Sequence, residues 1–293
     1  MDVNERRRYA TMTDTTATWT LSGFGDEIDP DPRVQIAVLK ALGSSFVEVR
    51  SAWGVNVVDL DDERLDELAT LLGDAGMGVS AVASPIGKVD VALDPDLEVA
   101  RLRRVIRVAH ALDTRSIRVF SFFRAEGVAV ESIRDDVLTR MRMLADEAER
   151  EGVVLLHENE KDIYGDTPQR VLDIVESVGS SALRLAWDSA NFVQVGVRHP
   201  HDEGYAMLRP YLDYLQVKDA LAATGAVVPA GEGDGQVLQT IAALKADGYS
   251  GFASLEPHLD EAHALGGFSG PAAFGQAARA FAALAGQAGV STR

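Results

Sequence analysis

Eight times between Trp19 and Ala288 a short β-rich run is followed by a longer stretch with helical spacing of its apolar residues, and this alternation narrows the fold more than any other feature. The β-rich runs are WTLSGF, SFVEV, GVSAVAS, SIRVFSF, VVLLHE, LRLAWD, YLQVK and FASLEP. Segments such as PRVQIAVLKAL, DERLDELATLLGDA, LEVARLRRVIRVAHAL and TPQRVLDIVESVG lie between them, apolar on one face and charged on the other. Strands separated by helices pair in parallel, and eight such units predict an α/β fold, a single (β/α)8 TIM barrel. The alternative is an open doubly wound sheet, against which stands the lack of a GxGxxG turn after the first strand. A chain of 293 residues that is 46% hydrophobic suffices for one barrel core.

Punctuation supports the same reading. Gly43, Gly76, Gly152 and Gly179 each close a helical pattern, and Asp31-Pro32, Asp94-Pro95 and Thr167-Pro168 read as an N-cap with proline at the first helical position. Residues 1–18 are expected to form a flexible polar tail and 19–290 the barrel. The tail carries Arg6 to Arg8 but no apolar run after them, so it is not read as a secretory signal, and no stretch approaches the length of a membrane span. A formal charge of -17 disfavours nucleic acid and anionic membranes as partners, because the net field repels phosphates. With no Cys there is neither a disulfide framework nor a thiolate metal site, which is compatible with a cytoplasmic location.

Four of the apolar runs end on polar groups: Glu158, Asp188, Gln216 with Lys218, and Glu256. Parallel barrel strands release their C-terminal ends at one face, so these residues are expected to meet in one mouth. The period of two puts Glu158 with Glu160, Gln216 with Lys218, Glu256 with His258 and Glu48 with Arg50 on shared faces. Each carboxylate alone could be an ion pair or a helix cap. Together they would repel one another, and a positive partner is required. A divalent cation in an oxygen-rich site is the expected partner, with Lys218 assisting.

The motifs GDEI at Asp26-Glu27, VEVR at Glu48-Arg50, SPIGK ending at Lys88, HENE at Glu158, WDSAN at Asp188-Asn191, QVKD at Gln216-Asp219, GEGDG at Gly231-Gly235 and SLEPH at Glu256 follow in order. In that order and spacing the chain resembles the xylose isomerase-like TIM-barrel superfamily, in its sugar phosphate isomerase/epimerase branch with inosose dehydratase, hydroxypyruvate isomerase and ketose 3-epimerase relatives. The resemblance spans about Thr20 to Leu284.

It implies a metal held by Glu158, Asp188, Gln216 and Glu256, with Mg or Mn favoured over Zn or Co. The chain departs from the family pattern at Gln216, where relatives usually carry His, and at Asn191, where many carry a substrate-facing His. It further implies an isomerase or epimerase acting on a small keto-sugar or polyol ketone. Glu158 and Glu256 would exchange protons through an enediolate, and Lys218 would stabilise the oxyanion. An inosose-type dehydratase, an abasic-site endonuclease relative and a non-catalytic sugar-binding barrel are the alternatives. Family likeness also suggests a homodimer or tetramer.

Further substrate-binding candidates are Glu48, Arg50, Trp53, Lys88, Asn191, Glu232 and His258. Glu232 and Asp234 put negative charge in the GEGDG loop, which opposes a phosphate there and favours a non-phosphorylated substrate. Arg118 and Arg124 are read as surface pairs with acidic residues, His157 as facing helices or capping a hydrogen bond rather than touching metal, and the HPH step at His199 and His201 as a solvated loop.

Overall fold

The computed structural model describes residues 16–263 and 266–293. The expected tail lies outside these residues except for its last three, of which Ala17 and Thr18 already belong to a strand. The barrel strands are β1 (Ala17–Gly23), β2 (Phe46–Val49), β3 (Gly78–Ala83), β4 (Ser116–Val119), β5 (Val154–Glu158), β6 (Leu183–Asp188), β7 (Leu212–Val217) and β8 (Phe252–Leu255). Neighbours in sequence are neighbours in space, all parallel, and β8 pairs with β1. Phe24, just past β1, bridges in parallel to Glu48 of β2, so the sheet curls round on itself.

Around the sheet lie α1 (Pro32–Ala41), α2 (Asp62–Asp74), α3 (Pro95–Ala111), α4 (Arg134–Glu151) and α5 (Pro168–Val178). The short α6 (Ser189–Gln194) follows β6, then an irregular helical stretch over 201–211, α7 (Val237–Ala246) and α8 (Gly270–Gln287). Asp31 and Asp94 cap α1 and α3 by accepting from Arg33 N and Asp96 N, whereas Thr167 makes no side-chain cap bond. All four predicted helix-end glycines take positive φ.

Besides two hairpins of two-residue strands, at 51–56 and 219–228, two larger additions were not expected. An antiparallel hairpin, β9 (Asp260–His263) with β10 (Gly266–Phe268), stands over the barrel mouth, where Gly267 O accepts from Arg50. A last strand, β11 (Val290–Thr292), pairs in parallel with the start of β1 on the edge away from β8, making the sheet nine-stranded. Three residues carry no periodicity to read, and their conformation is set by the open edge of β1.

The main core lies between sheet and helices, and the barrel interior is filled separately. Ala81, Leu156, Ala186 and Tyr214 form an interior cluster with Val154 and Phe252 against it. Phe46 meets Phe252 edge-on at 5.0 Å. Above this plug sits a polar layer: Ser22 Oγ is 2.7 Å from Ser80 Oγ, Ser80 Oγ 2.8 Å from the Tyr214 hydroxyl, and Tyr214 donates to Glu48 Oε2 at 2.9 Å. Leu156, Ala186 and Tyr214 lie two residues before Glu158, Asp188 and Gln216. The pleat therefore stacks the acidic groups one layer nearer the mouth.

Candidate active site

Glu158, Asp188 and Glu256 are all buried, and each offers a carboxylate oxygen within 4.8 Å of the others. Lys218, two residues beyond Gln216 on the same face, reaches between two of them. Its Nζ lies 2.8 Å from Asp188 Oδ2 and 3.1 Å from Glu256 Oε2. Asp188 is also the N-cap of α6, accepting from Asn191 N through Oδ1 at 2.9 Å. The strand thus ends on a residue whose carboxylate anchors the next helix with one oxygen and faces the site with the other.

Glu158 is held by three donors. Arg118 Nη1 is 2.9 Å from Oε2 and Asn191 Nδ2 is 3.0 Å from Oε1. The amide of Gln216 satisfies its surroundings with nitrogen towards Glu158, donating at 3.0 and 3.1 Å to the two oxygens. On the other side of the mouth, Glu256 Oε1 lies 3.5 Å from Arg50 Nη1, 3.8 Å from Arg118 Nη1 and 3.3 Å from His258 Nε2. His258 Nε2 lies 3.0 Å from Glu27 Oε1, and Arg50 Nε donates to Asp26 at 2.8 Å.

These contacts shift the groups in opposite directions. Burial raises the proton affinity of Glu158, with Arg118 opposing, and likewise that of Asp188, with Lys218 opposing. Burial pushes Glu256 upward too, but Lys218, His258 and Arg118 together outweigh it and hold this carboxyl well below its ordinary range. Burial would lower Lys218, yet Asp188, Glu256 and Glu158 keep it well above the usual lysine value. The positive compensation required by three clustered carboxylates is therefore supplied within the chain, by Lys218, Arg118 and Arg50.

The space at the mouth is a cavity of about 90 Å³ walled by Glu158, Glu256, Glu160, Arg118, Arg50, Lys88 and His258, among others. Lys88 crosses it to pair with Glu160 at 3.1 Å, its ammonium 4.2 Å from the Phe120 ring centroid. A hollow of about 500 Å³ on the outside of α3 is lined by Val58, Val89, Leu93 and Leu97 among others, and the carboxylate trio lies elsewhere.

Of the residues singled out in the sequence, Glu158, Asp188, Gln216, Lys218, Glu256, Arg50, Lys88 and His258 come together here. Asn191 supports Glu158 from α6. Glu48 is fully buried one layer below and points to Tyr214. Trp53 takes a positive φ in a turn and stacks under the Arg64 guanidinium at 4.8 Å, outside the cavity wall. Glu232 is exposed. Its loop wraps the Asp219 carboxylate, which accepts from Gly231 N, Gly233 N and Gly235 N at 2.9, 3.1 and 2.8 Å.

Arg118 is the main correction. It was read as a surface ion pair and is 5% exposed, in the centre of the site. Its signal was present: Arg118 stands between Ile117 and Val119 in an apolar strand, and parity aims it inward. Asp26 and Glu27 of the GDEI motif likewise join the site, and Glu160, on the face of Glu158, pairs there with Lys88. His157 faces the strand-helix layer beside Gly165 and Ser121, away from the trio, as its parity predicted.

The donor set also bears on a metal. Three converging, buried carboxylate oxygens suit a hard divalent cation, and Glu158, Asp188 and Glu256 would hold it. Gln216 would join through its carbonyl oxygen, after turning its amide over.

A closed parallel barrel with a carboxylate-lined mouth defines the class, and comparison with known proteins places the chain within it. Residues 36–284 match the xylose isomerase-like TIM barrel family, and the chain belongs to that family. It is 27% identical over 219 residues to 2-epi-5-epi-valiolone 7-phosphate 2-epimerase of an Actinoplanes species, covering 69% of this chain and 77% of that one. Among solved structures, a xylose isomerase-like TIM barrel protein from Mycobacterium smegmatis in complex with magnesium superposes with a TM-score of 0.69 at 21% identity, covering 95% of this chain and 99% of that one. A D-tagatose 3-epimerase-like protein gives 0.73 at 15% identity, covering 92% and 98%.

Proposed function

We propose that this chain is an isomerase or epimerase of a small keto-sugar or polyol ketone, working by proton transfer next to the carbonyl. The observation that carries this reading is the placing of Glu158 and Glu256, on β5 and β8, in one buried mouth with the Lys218 ammonium and the Arg118 guanidinium beside them. Two carboxylates on different strands can address two faces of one carbon. One removes the proton and the other returns it, which inverts the centre or moves the carbonyl. The enediolate formed between the two steps carries negative charge on oxygen, and Lys218 and Arg118 are fixed donors already oriented for it. A divalent ion held by Glu158, Asp188 and Glu256 would polarise the carbonyl and an adjacent hydroxyl. Similarity to 2-epi-5-epi-valiolone 7-phosphate 2-epimerase supports the epimerase reading.

The test is proton exchange in D2O, followed by NMR over a panel of ketohexoses, inososes and 2-epi-5-epi-valiolone 7-phosphate with Mg2+ or Mn2+ present. Deuterium should enter at the carbon next to the carbonyl of at least one compound, and Glu158→Gln and Glu256→Gln should each abolish it. No incorporation anywhere on the panel by folded protein would overturn the reading.

A further inference from the structure

In this chain every carboxylate oxygen that an ion would use already has a positive partner or donor. Asp188 Oδ2 and Glu256 Oε2 share the Lys218 ammonium at 2.8 and 3.1 Å. Both oxygens of Glu158 face the Gln216 amide nitrogen, with Arg118 and Asn191 completing the set. The polarity at position 216 matters most. A metal-ligating imidazole presents a lone pair to the ion, whereas the Gln216 NH2 presents two hydrogens to Glu158. To serve as a ligand, Gln216 must give up both bonds and turn over. An entering ion would also meet the Lys218 ammonium at the oxygens it needs, and like charges in so buried a site repel strongly.

We propose that Lys218 and Gln216 are the resident positive partners of the carboxylate trio, so that the site keeps its shape with no divalent ion and takes one up only weakly, by displacing Lys218. This rests on the proton-transfer reading for its purpose: a fixed ammonium and a fixed guanidinium would supply in the resting site the charge that a bound ion supplies in a metal-loaded one. Gln216 is then a partner for Glu158 and leaves the acid-base pair in place.

The test uses Mn2+ alone, titrated by calorimetry and followed by the spin signal of free Mn2+, on chelator-treated full-length protein and on Gln216→His and Lys218→Met. The natural protein should bind in the millimolar range or more weakly, and its melting temperature should be the same with chelator and with Mn2+. Each variant should bind at least about tenfold more tightly, since each removes charge-assisted contacts that the ion must break. If Lys218→Met does not fold without metal, recovery of its fold by Mn2+ counts for the proposal, and if it folds under neither condition Gln216→His decides. Micromolar binding by the natural protein, or variants that bind no better than it does, would overturn the proposal. No substrate enters these measurements, so their failure leaves the exchange experiment standing, and the reverse.

Discussion

With its amide oriented by the donors and acceptors around it, Gln216 donates to the two carboxylate oxygens of Glu158 at 3.0 and 3.1 Å, joining the ends of β7 and β5 across the barrel mouth. Because Arg118 and Asn191 also hold Glu158, the loss of one donor leaves the carboxylate partnered. Gln216→Met should therefore fold and lose about 1–2 kcal/mol in urea unfolding. A loss several times larger would mean that Gln216 carries more of the site's cohesion than its two bonds account for.

Arg118 brings a full positive charge to Glu158, which the amides of Gln216 and Asn191 do not. It contacts Glu158 and Glu256, and its guanidinium lies over the Phe24 and Phe120 rings at 5.4 and 4.6 Å. Removing it leaves Glu158 in contact with neutral donors alone and takes one of the cations from beside Glu256, so Arg118→Met is expected to cost about 3–5 kcal/mol by the same measurement. Arg118→Lys keeps the charge but not the planar fork, and should fall between the two.

How much of this was legible in the sequence follows from what a period of two can carry. The polar ends of apolar runs placed Glu158, Asp188, Gln216, Lys218 and Glu256 at the barrel mouth, and parity put Gln216 and Lys218 on one face. Parity gives the face and not the height. Glu48 and Arg50 share a face, yet Arg50 reaches the mouth while Glu48 sits one layer down against Tyr214. Nor does it give the partner. The polarity of the Gln216 amide is decided by Glu158, 58 positions earlier in the chain, and no local pattern records that pairing. Arg118 was misplaced for a related reason: a lone arginine in a short strand beside many acidic residues reads as a surface pair until the site's need for positive charge is counted. Trp53 and Glu232 lie beyond strand ends, in loops, where periodicity says nothing.

Glu48 gives a pH dependence whose sign can be worked out. Burial raises its pKa from 4.5 to about 7, with Arg118, Ser254 and Tyr214 pulling downward and Glu256 upward. Between these values the folded chain holds a proton that the unfolded chain has released. The stability contributed by this group is therefore fully present below 4.5 and is lost as pH rises through about 7. The slope is at most about 1.4 kcal/mol per pH unit. Glu48→Gln mimics the protonated form and should flatten the fall in unfolding free energy between about pH 5 and about pH 7. An unchanged slope in that variant would place the proton elsewhere.

The loop Gly231–Gly235 yields the last prediction. Glycine-rich loops after late barrel strands often present backbone N–H groups to phosphate. Here three of those amides, with Ala220 N, already donate to the Asp219 carboxylate, and a Cβ at Gly233 would stand 2.4 Å from Asp219 Oδ1. The loop is thus closed around an internal anion, a stronger reason against phosphate than the exposed charges of Glu232 and Asp234. Inorganic phosphate in the millimolar range should leave the amide NMR signals of Gly231, Gly233 and Gly235 unmoved. Asp219→Ala should instead free those donors, destabilise the fold by about 2–4 kcal/mol, chiefly through the buried N–H groups of Ala220 and Gly235, and allow phosphate to shift these signals. Phosphate-dependent shifts in the natural protein would show that the Asp219 contacts exchange readily, and that a phosphorylated substrate can be held there.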